Sequence, residues 1–244
     1  MIEAKNLTKR FGTLTAVDDV SFTISAGDVV GFLGPNGAGK STTMRLLTGF
    51  LDGDGGSARI CGHDMATARC EGQFCFGYLP EAAGGFPHLT VREFLAYCGE
   101  SRNLLGQDLR IAINNVCSMI DLESALDKPM KTLSKGWRQR TWLAQAILHD
   151  PPVLILDEPT DGLDPIQKEQ VRSLIHSIAP KKAIILSTHI LEEAEVICTR
   201  AIIIASGRVV ADDTPSNLAD DNGRIASAFH RLAASPSPVT REQA

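Results

Sequence analysis

Gly34-Pro35-Asn36-Gly37-Ala38-Gly39-Lys40-Ser41 carries the spacing G-x-x-x-x-G-K-S. Its glycines let the backbone turn tightly and aim successive N–H groups at one point, where they can cradle the oxygens of a nucleotide's phosphates. Lys40 adds a full positive charge near the outer phosphates, and the Ser41 hydroxyl is placed to ligate Mg²⁺. The flanks agree. Asp28-Val29-Val30-Gly31-Phe32-Leu33 reads as a buried strand, and Thr42-Thr43-Met44-Arg45-Leu46-Leu47 opens a helix whose N-terminal dipole faces the anion.

Working outward, Ile2-Glu3-Ala4 and Val20-Ser21-Phe22-Thr23-Ile24 alternate as half-buried strands and predict a small antiparallel beginning. The helix after the phosphate loop should stop near Gly49, followed by a loop at Gly53-Asp54-Gly55-Gly56 and short strands at Ala58-Arg59-Ile60 and Phe76-Gly77-Tyr78-Leu79. From Phe86 to His149 the period becomes helical, with Val91, Phe94, Leu95 and Cys98 on one face, then Leu109, Ile113, Val116 and Ile120. This predicts an inserted helical subdomain. Buried strands return at Val153-Leu154-Ile155-Leu156 and Ala183-Ile184-Ile185-Leu186. Between them runs a helix with Asp164 as N-cap, Pro165 at its first position and Gln167 completing a capping box. Arg208-Val209-Val210 reads as a last hairpin strand, and Ser235-Pro236-Ser237-Pro238 as a frayed tail.

At 244 residues the chain can build a sizeable core, and 43% hydrophobic with 22% charged residues is ordinary globular composition. A net charge of −5 supplies no overall field to recruit nucleic acid. The longest apolar runs, such as Ala201-Ile202-Ile203-Ile204-Ala205, fall far short of the roughly 20 residues that span a bilayer. Glu3, Lys5, Lys9 and Arg10 interrupt any apolar leader, so export of the chain is not expected. The six cysteines form no C-x-x-C pair and read as reduced, cytosolic and mostly packed. Cys61 and His63 have no second pair near them to complete a metal site.

Two further stretches carry chemistry. Val153 to Leu156 runs into Asp157-Glu158-Pro159. Asp157 can hold the hydration shell of Mg²⁺ opposite Ser41, while Glu158 points elsewhere and can act as general base on an attacking water. Leu133-Ser134-Lys135-Gly136-Trp137-Arg138-Gln139-Arg140 opens a helix that Ser134 caps, presenting a positive end, the Ser134 hydroxyl and the Gly136 N–H as a second anion site. If two copies faced each other, each could offer this wall to the other's nucleotide.

Taken together, from Met1 to Pro215, the chain resembles the nucleotide-binding subunit of an ATP-binding cassette (ABC) transporter. Gly34 to Ser41 matches the family's phosphate loop, Leu133 to Trp137 its signature, and Val153 to Glu158 its acidic strand. Asp161-Gly162-Leu163-Asp164 matches the dimer-contacting D-loop, and Ser187-Thr188-His189 the switch histidine. The resemblance implies an α/β P-loop NTPase fold with a small antiparallel β part and an inserted helical subdomain. It places the α/β core at residues 1–81 and 150–215, the helical insert at 82–149 and a partly helical tail at 216–244. It further implies ATP and Mg²⁺ as cofactors. Nucleotide contacts would come from Phe11 stacking on adenine, Val17 beside it, Gly34 through Thr42, Glu81, Ser134, Gly136 and Asp157. Metal ligation falls to Ser41, Glu81 and Asp157, and catalysis to Glu158, His189 and Lys40. The partners implied are a second ATPase subunit, identical or related, and separate membrane permease subunits. The location implied is the cytoplasmic face of the inner membrane, with no nucleic acid bound.

Four positions depart from the family's usual pattern. Glu81 stands where a glutamine senses Mg²⁺ and the permease, and an ionised carboxylate cannot donate a hydrogen bond. Lys135 replaces a glycine and Trp137 a glutamine, while Phe11 replaces the commoner tyrosine. Lys135 either adds charge near phosphate or is simply solvated. The Gly-Tyr-Leu-Pro-Glu and Leu-Ser-Lys-Gly variants resemble the branch serving multidrug, polysaccharide or gliding-motility exporters. Residues 82–105, with apolar Phe86, Leu89, Phe94 and Leu95, would receive the permease. The alternative is a soluble relative acting on nucleic acid, ribosomes or protein assembly. The single cassette, the missing heptad insertion and the lack of basic excess argue against it.

Overall fold

A computed structural model describes residues 1–82, 84–220 and 223–234. The Ser235 to Pro238 stretch lies outside the described residues. β1 (Ile2–Phe11) and β2 (Leu14–Ile24) form an antiparallel hairpin. Both are much longer than the sequence alternation suggests. Asn6 and Asp19 take left-handed φ values of 49° and 57°, and the register shifts three times along the pair. Each shift resets the period of two, which hides the strand from a pattern reading. β4 (Gly55–Ile60) pairs with the other edge of β1, and β5 (His63–Asp64) with β4, giving a four-stranded antiparallel sheet in the order β2-β1-β4-β5.

The second sheet contains β3 (Val29–Leu33), β6 (Phe76–Leu79), β7 (Val153–Asp157), β8 (Ala183–Thr188), β9 (Arg200–Ala205) and β10 (Arg208–Asp213), in the order β10-β9-β3-β8-β7-β6. All neighbours pair in parallel except β10, which returns antiparallel along β9. Alternate residues of the inner strands feed two different cores. Val30, Phe32, Val153, Ile155, Ile185 and Ile202 meet the antiparallel sheet, while Val29, Leu33, Leu154, Leu156, Ile184 and Ile203 meet helices. Burial on both faces explains why these strands read as unbroken apolar runs.

The helices are α1 (Lys40–Leu47), α2 (Arg69–Phe74), α3 (Val91–Glu100), α4 (Gly106–Met119), α5 (Lys135–Ile147), α6 (Pro165–Ile178), α7 (Leu191–Ile197), α8 (Pro215–Leu218) and α9 (Ala226–Ala234). The short α2 and α7 have too few turns to show a helical period. α3 starts on a Thr90–Glu93 capping box, and α6 on the expected one, with Asp164 Oδ1 accepting from the Gln167 N–H at 2.9 Å. α5 lies so close to β6 that a Cβ on Gly77 would strike the Ala146 carbonyl, so glycine there sets the approach of helix to sheet.

One expectation is corrected here. Phe94 and Leu95 are fully buried, because the stripe they share with Val91 faces the core. Of the expected residues Phe86 does stay exposed, and Phe50 (78% exposed), Phe74 and Tyr97 add to the apolar surface. Among the described cysteines all are free, with Cys117 and Cys198 buried and Cys70 exposed. Burial pushes the Cys98 and Cys117 thiols up to about 11 and Cys198 to about 12, so none of these three is a ready nucleophile.

Candidate functional site

The parallel order β3-β8-β7-β6 sets four strand ends along one edge of the sheet. Each end leads directly into a predicted site residue. β3 runs into the phosphate loop, β6 reaches Glu81, β7 ends on Asp157 with Glu158 next, and β8 delivers His189. Register locks them together, with Leu33 opposite Thr188, Asp157 opposite Ser187 and Leu79 opposite Leu156. In open α/β sheets this edge is where ligands bind.

A cleft of about 400 Å³ opens there, lined by Phe11, Leu14, Ala16, Asn36, Gly37, Gly39, Lys40, Ser41, Thr42, Glu81, Asp157 and Glu158. Gly39, the N-cap of α1, has φ 106°, and a Cβ on it would strike the Ala16 carbonyl. No side chain caps α1, so its first-turn N–H groups remain for a ligand. Lys40 is buried and donates from Nζ to the carbonyls of Gly34 (2.6 Å) and Pro35 (3.1 Å). Desolvation holds its pKa below the usual lysine value, with Glu158, Asp157 and Glu81 working in the other direction. Phe11 and Leu14, 50% and 65% exposed, stand at the cleft as apolar surface suited to stacking against a base, with the Lys9 ammonium 5.6 Å from the Phe11 ring centroid.

The acids are organised by β8. The Ser187 hydroxyl donates to Asp157 Oδ1, and the Glu158 N–H reaches Ser187 Oγ at 3.1 Å. Burial raises the Asp157 carboxyl above its ordinary value, opposed by the Ser187 hydrogen bond. Burial likewise raises Glu158, opposed by His189, whose Nδ1 lies 2.9 Å from Glu158 Oε1. A carboxylate poised above its usual range, beside a histidine, is what a general base at neutral pH needs. Ser41 Oγ donates to Glu81 Oε2 at 3.5 Å, so Ser41, Glu81 and Asp157 converge on one end of the cleft. This all-oxygen set suits a hard cation such as Mg²⁺.

The structure separates other predicted residues from the cleft. Gly34 and Ala38 are buried and shape the loop, the first through its carbonyl to Lys40 and the second through its carbonyl to the Gly207 N–H at 2.9 Å. Pro35 is exposed and does not line the cleft, though its carbonyl also takes Lys40. Val17 has no exposed surface and packs into the core between the sheets. Alternation along β2 turns Leu14 and Ala16 toward the cleft and Val17 away, which corrects its assignment as a nucleotide contact. Ser134 and Gly136 do not line this cleft either. Ser134 is exposed and caps α5 by accepting the Trp137 N–H at 3.4 Å. Gly136 is buried, and a Cβ there would crowd Gln167 and the Gly162 carbonyl.

Of the two readings of Lys135 the solvated one fits, since its side chain is 65% exposed, and it also pairs with Asp161 at 2.7 Å while its stem covers Gly162. Trp137 stacks on the Arg140 guanidinium, 4.0 Å from the ring centroid, with Lys128 at 5.6 Å. Both substitutions therefore have partners within their own chain. Ser187 and Gln139 also hold the site, although nothing in the Ser187-Thr188-His189 or Leu133 to Arg140 stretches singles them out as individual side chains. Beside the cleft a groove of about 590 Å³ runs past Glu81, lined by Phe50, Tyr78, Pro80, Ala82, Arg102 and Trp142 among others.

The profile of the ABC transporter family matches residues 17–161. The Nod factor export ATP-binding protein I of Burkholderia lata is 38% identical over 221 residues, covering 89% of this chain and 72% of its own. The probable multidrug ABC transporter ATP-binding protein YbhF of Escherichia coli is 34% identical over 219 residues, covering 89% of this chain and 38% of that protein. A solved structure described as the ATP-binding subunit of an ABC transporter superposes with a TM-score of 0.88 at 29% identity, covering 95% of this chain and 99% of the other. Among the described residues no helix is long and apolar enough to cross a membrane. By its cleft, its profile match over more than half its length and these relatives, the chain belongs to the ABC transporter family, as an ATP-binding and ATP-hydrolysing subunit.

Proposed function

We propose that this subunit binds ATP with Mg²⁺ in the cleft, closes on a second ATPase subunit around the nucleotide, and drives export through separate membrane permeases. The observation that carries the reading is the division of the anion-binding parts. One cleft holds the phosphate loop, Asp157 and Glu158, while the capped end of α5 at Ser134 lies outside it. A second chain is the natural way to bring such an end to the γ-phosphate. The curated relatives are named for Nod factor export and multidrug transport, which supports export as the direction. Residues 82–149 are taken as the inserted helical subdomain, and the groove beside Glu81 as the seat of a permease segment at the cytoplasmic face.

In this reading the phosphate-loop amides and Lys40 hold the outer phosphates, Phe11 and Leu14 hold the base, and Ser41, Glu81 and Asp157 hold Mg²⁺. Bound there, Mg²⁺ offsets charge on the phosphate oxygens. Glu158 accepts a proton from water as the water oxygen attacks the γ-phosphorus. The bond to the bridging oxygen breaks, and ADP and inorganic phosphate result. His189 orients the carboxylate through the bond to Oε1.

The test uses a tagged Glu158→Gln chain expressed in its own cells and purified with Mg²⁺ and ATP in mild detergent. A trapped dimer with a multi-span membrane protein in near-equal amount is expected. Ribosomal, nucleic-acid-bound or purely soluble partners would replace the transport reading with a soluble ATPase.

A further inference from the structure

Gln139 lies on the second turn of α5, is 4% exposed, and donates from Nε2 to the carbonyl oxygen of Glu158 at 2.8 Å. The residue it grips is unusual. Glu158 has φ 52°, in the left-handed region that side chains rarely adopt and that persists when the surroundings impose it. Its peptide groups are held from two sides. The N–H meets Ser187 on β8, at 3.1 Å to Oγ and 3.2 Å to the carbonyl, and the C=O accepts from Gln139 on α5 and from the Asp161 N–H at 3.1 Å. This turn breaks the alternation of β7, and the carboxylate so placed faces both His189 and the cleft.

The same helix begins at Ser134, and its first turn is fastened to the D-loop by the Lys135–Asp161 ion pair and by Gly136 packed near the Gly162 carbonyl. Gln139 sits five residues beyond Ser134, about 7.5 Å along a helix rising 1.5 Å per residue. A rigid rod of that length passes small shifts of its end on to its side chains.

We propose that Gln139 is a positioning residue linking the end of α5 to the general base of its own chain. This rests on the two-subunit reading above. When Ser134 seats on the nucleotide held by the partner, α5 shifts, and the Gln139 amide sets the Glu158 peptide that acts on the nucleotide of its own cleft. One chain thereby joins the two composite sites, and turnover at one depends on occupancy of the other.

The test is made on the purified full chain with Mg²⁺ and ATP. Gln139→Leu keeps the volume and removes the donor, and Gln139→Glu keeps the length and replaces the donor by an acceptor. kcat, the Hill coefficient, the affinity for a fluorescent ATP analogue and the thermal midpoint are measured for each. We expect kcat to fall about tenfold or more and the Hill coefficient to drop from its wild-type value toward one, with nucleotide affinity kept within about twofold. Should Gln139→Leu fail to fold, Gln139→Glu decides alone. Unchanged kcat and cooperativity would overturn the proposal, as would a fall in kcat matched by equal losses of affinity and thermal midpoint. A wild-type chain with non-cooperative turnover, whose Glu158→Gln form stays monomeric with ATP, would overturn the two-subunit reading and the relay with it.

Discussion

Two helices of this protein begin at stretches whose sequence predicts an anion site, and they differ in what surrounds them. α1 begins at a left-handed glycine with no side-chain cap, inside a cleft that also holds Lys40, Asp157 and Glu158. α5 begins at Ser134, whose own hydroxyl takes up one of its amides, and its neighbouring cation is neutralised by Asp161. The helix dipole is common to both, so it cannot explain the difference. In the proposed reading the first end holds a phosphate within its own chain, and the second is carried to a phosphate held by another chain.

Lys40→Ala breaks the first side of this comparison and has the largest expected effect. Losing a charge-assisted hold on phosphate of about 1.5–3 kcal/mol should weaken ATP binding roughly 10- to 150-fold, as titration calorimetry would show. Gly136→Asp breaks the other side by setting a carboxylate and its bulk at the end of α5. The single chain should then bind ATP within about twofold of wild type while turnover falls about tenfold. If both substitutions weakened binding alike, the division between the two ends would be wrong.

Smaller effects sharpen the picture of the acids. Glu158 is raised by burial and must be ionised to act, so turnover should fall on acidification above the ordinary carboxylate range. His189 opposes that rise, and His189→Ala should move the acid limb of the rate profile to still higher pH. A carboxyl raised in the fold binds its proton more tightly folded than unfolded. Its presence therefore costs stability as pH rises from the ordinary carboxylate range through the raised value. Asp157→Asn removes that cost and keeps an acceptor for Ser187. At neutral pH it should gain on the order of 1 kcal/mol, a thermal midpoint about 2–4 °C higher, while hydrolysis is lost. A lowered midpoint would show that the Ser187 bond outweighs burial.

Legibility followed the distance over which each feature is encoded. The phosphate loop is eight consecutive residues whose geometry is set by its glycines, and the α6 capping box needs four, so both could be read directly. β1 and β2 were harder. Their bulges at Asn6 and Asp19 break the period, and a pattern reading sees only the regular pieces. Phe94 and Leu95 share one helical face with Val91 and are buried against the core, because a helical stripe says that a face is apolar and not what covers it.

By itself the sequence determined the parts list: a phosphate loop between strand and helix, two acids at a strand end, a histidine after another strand, and a capped helix apart from all of them. These are local, since backbone freedom and side-chain chemistry are properties of a few adjacent residues. Tertiary structure alone decided that Lys135 answers Asp161, that Val17 faces the core, and that Ser187 and Gln139 hold the peptide groups of Glu158. Those pairings arise from strand register and helix packing between segments far apart in the chain, which no short window of residues contains.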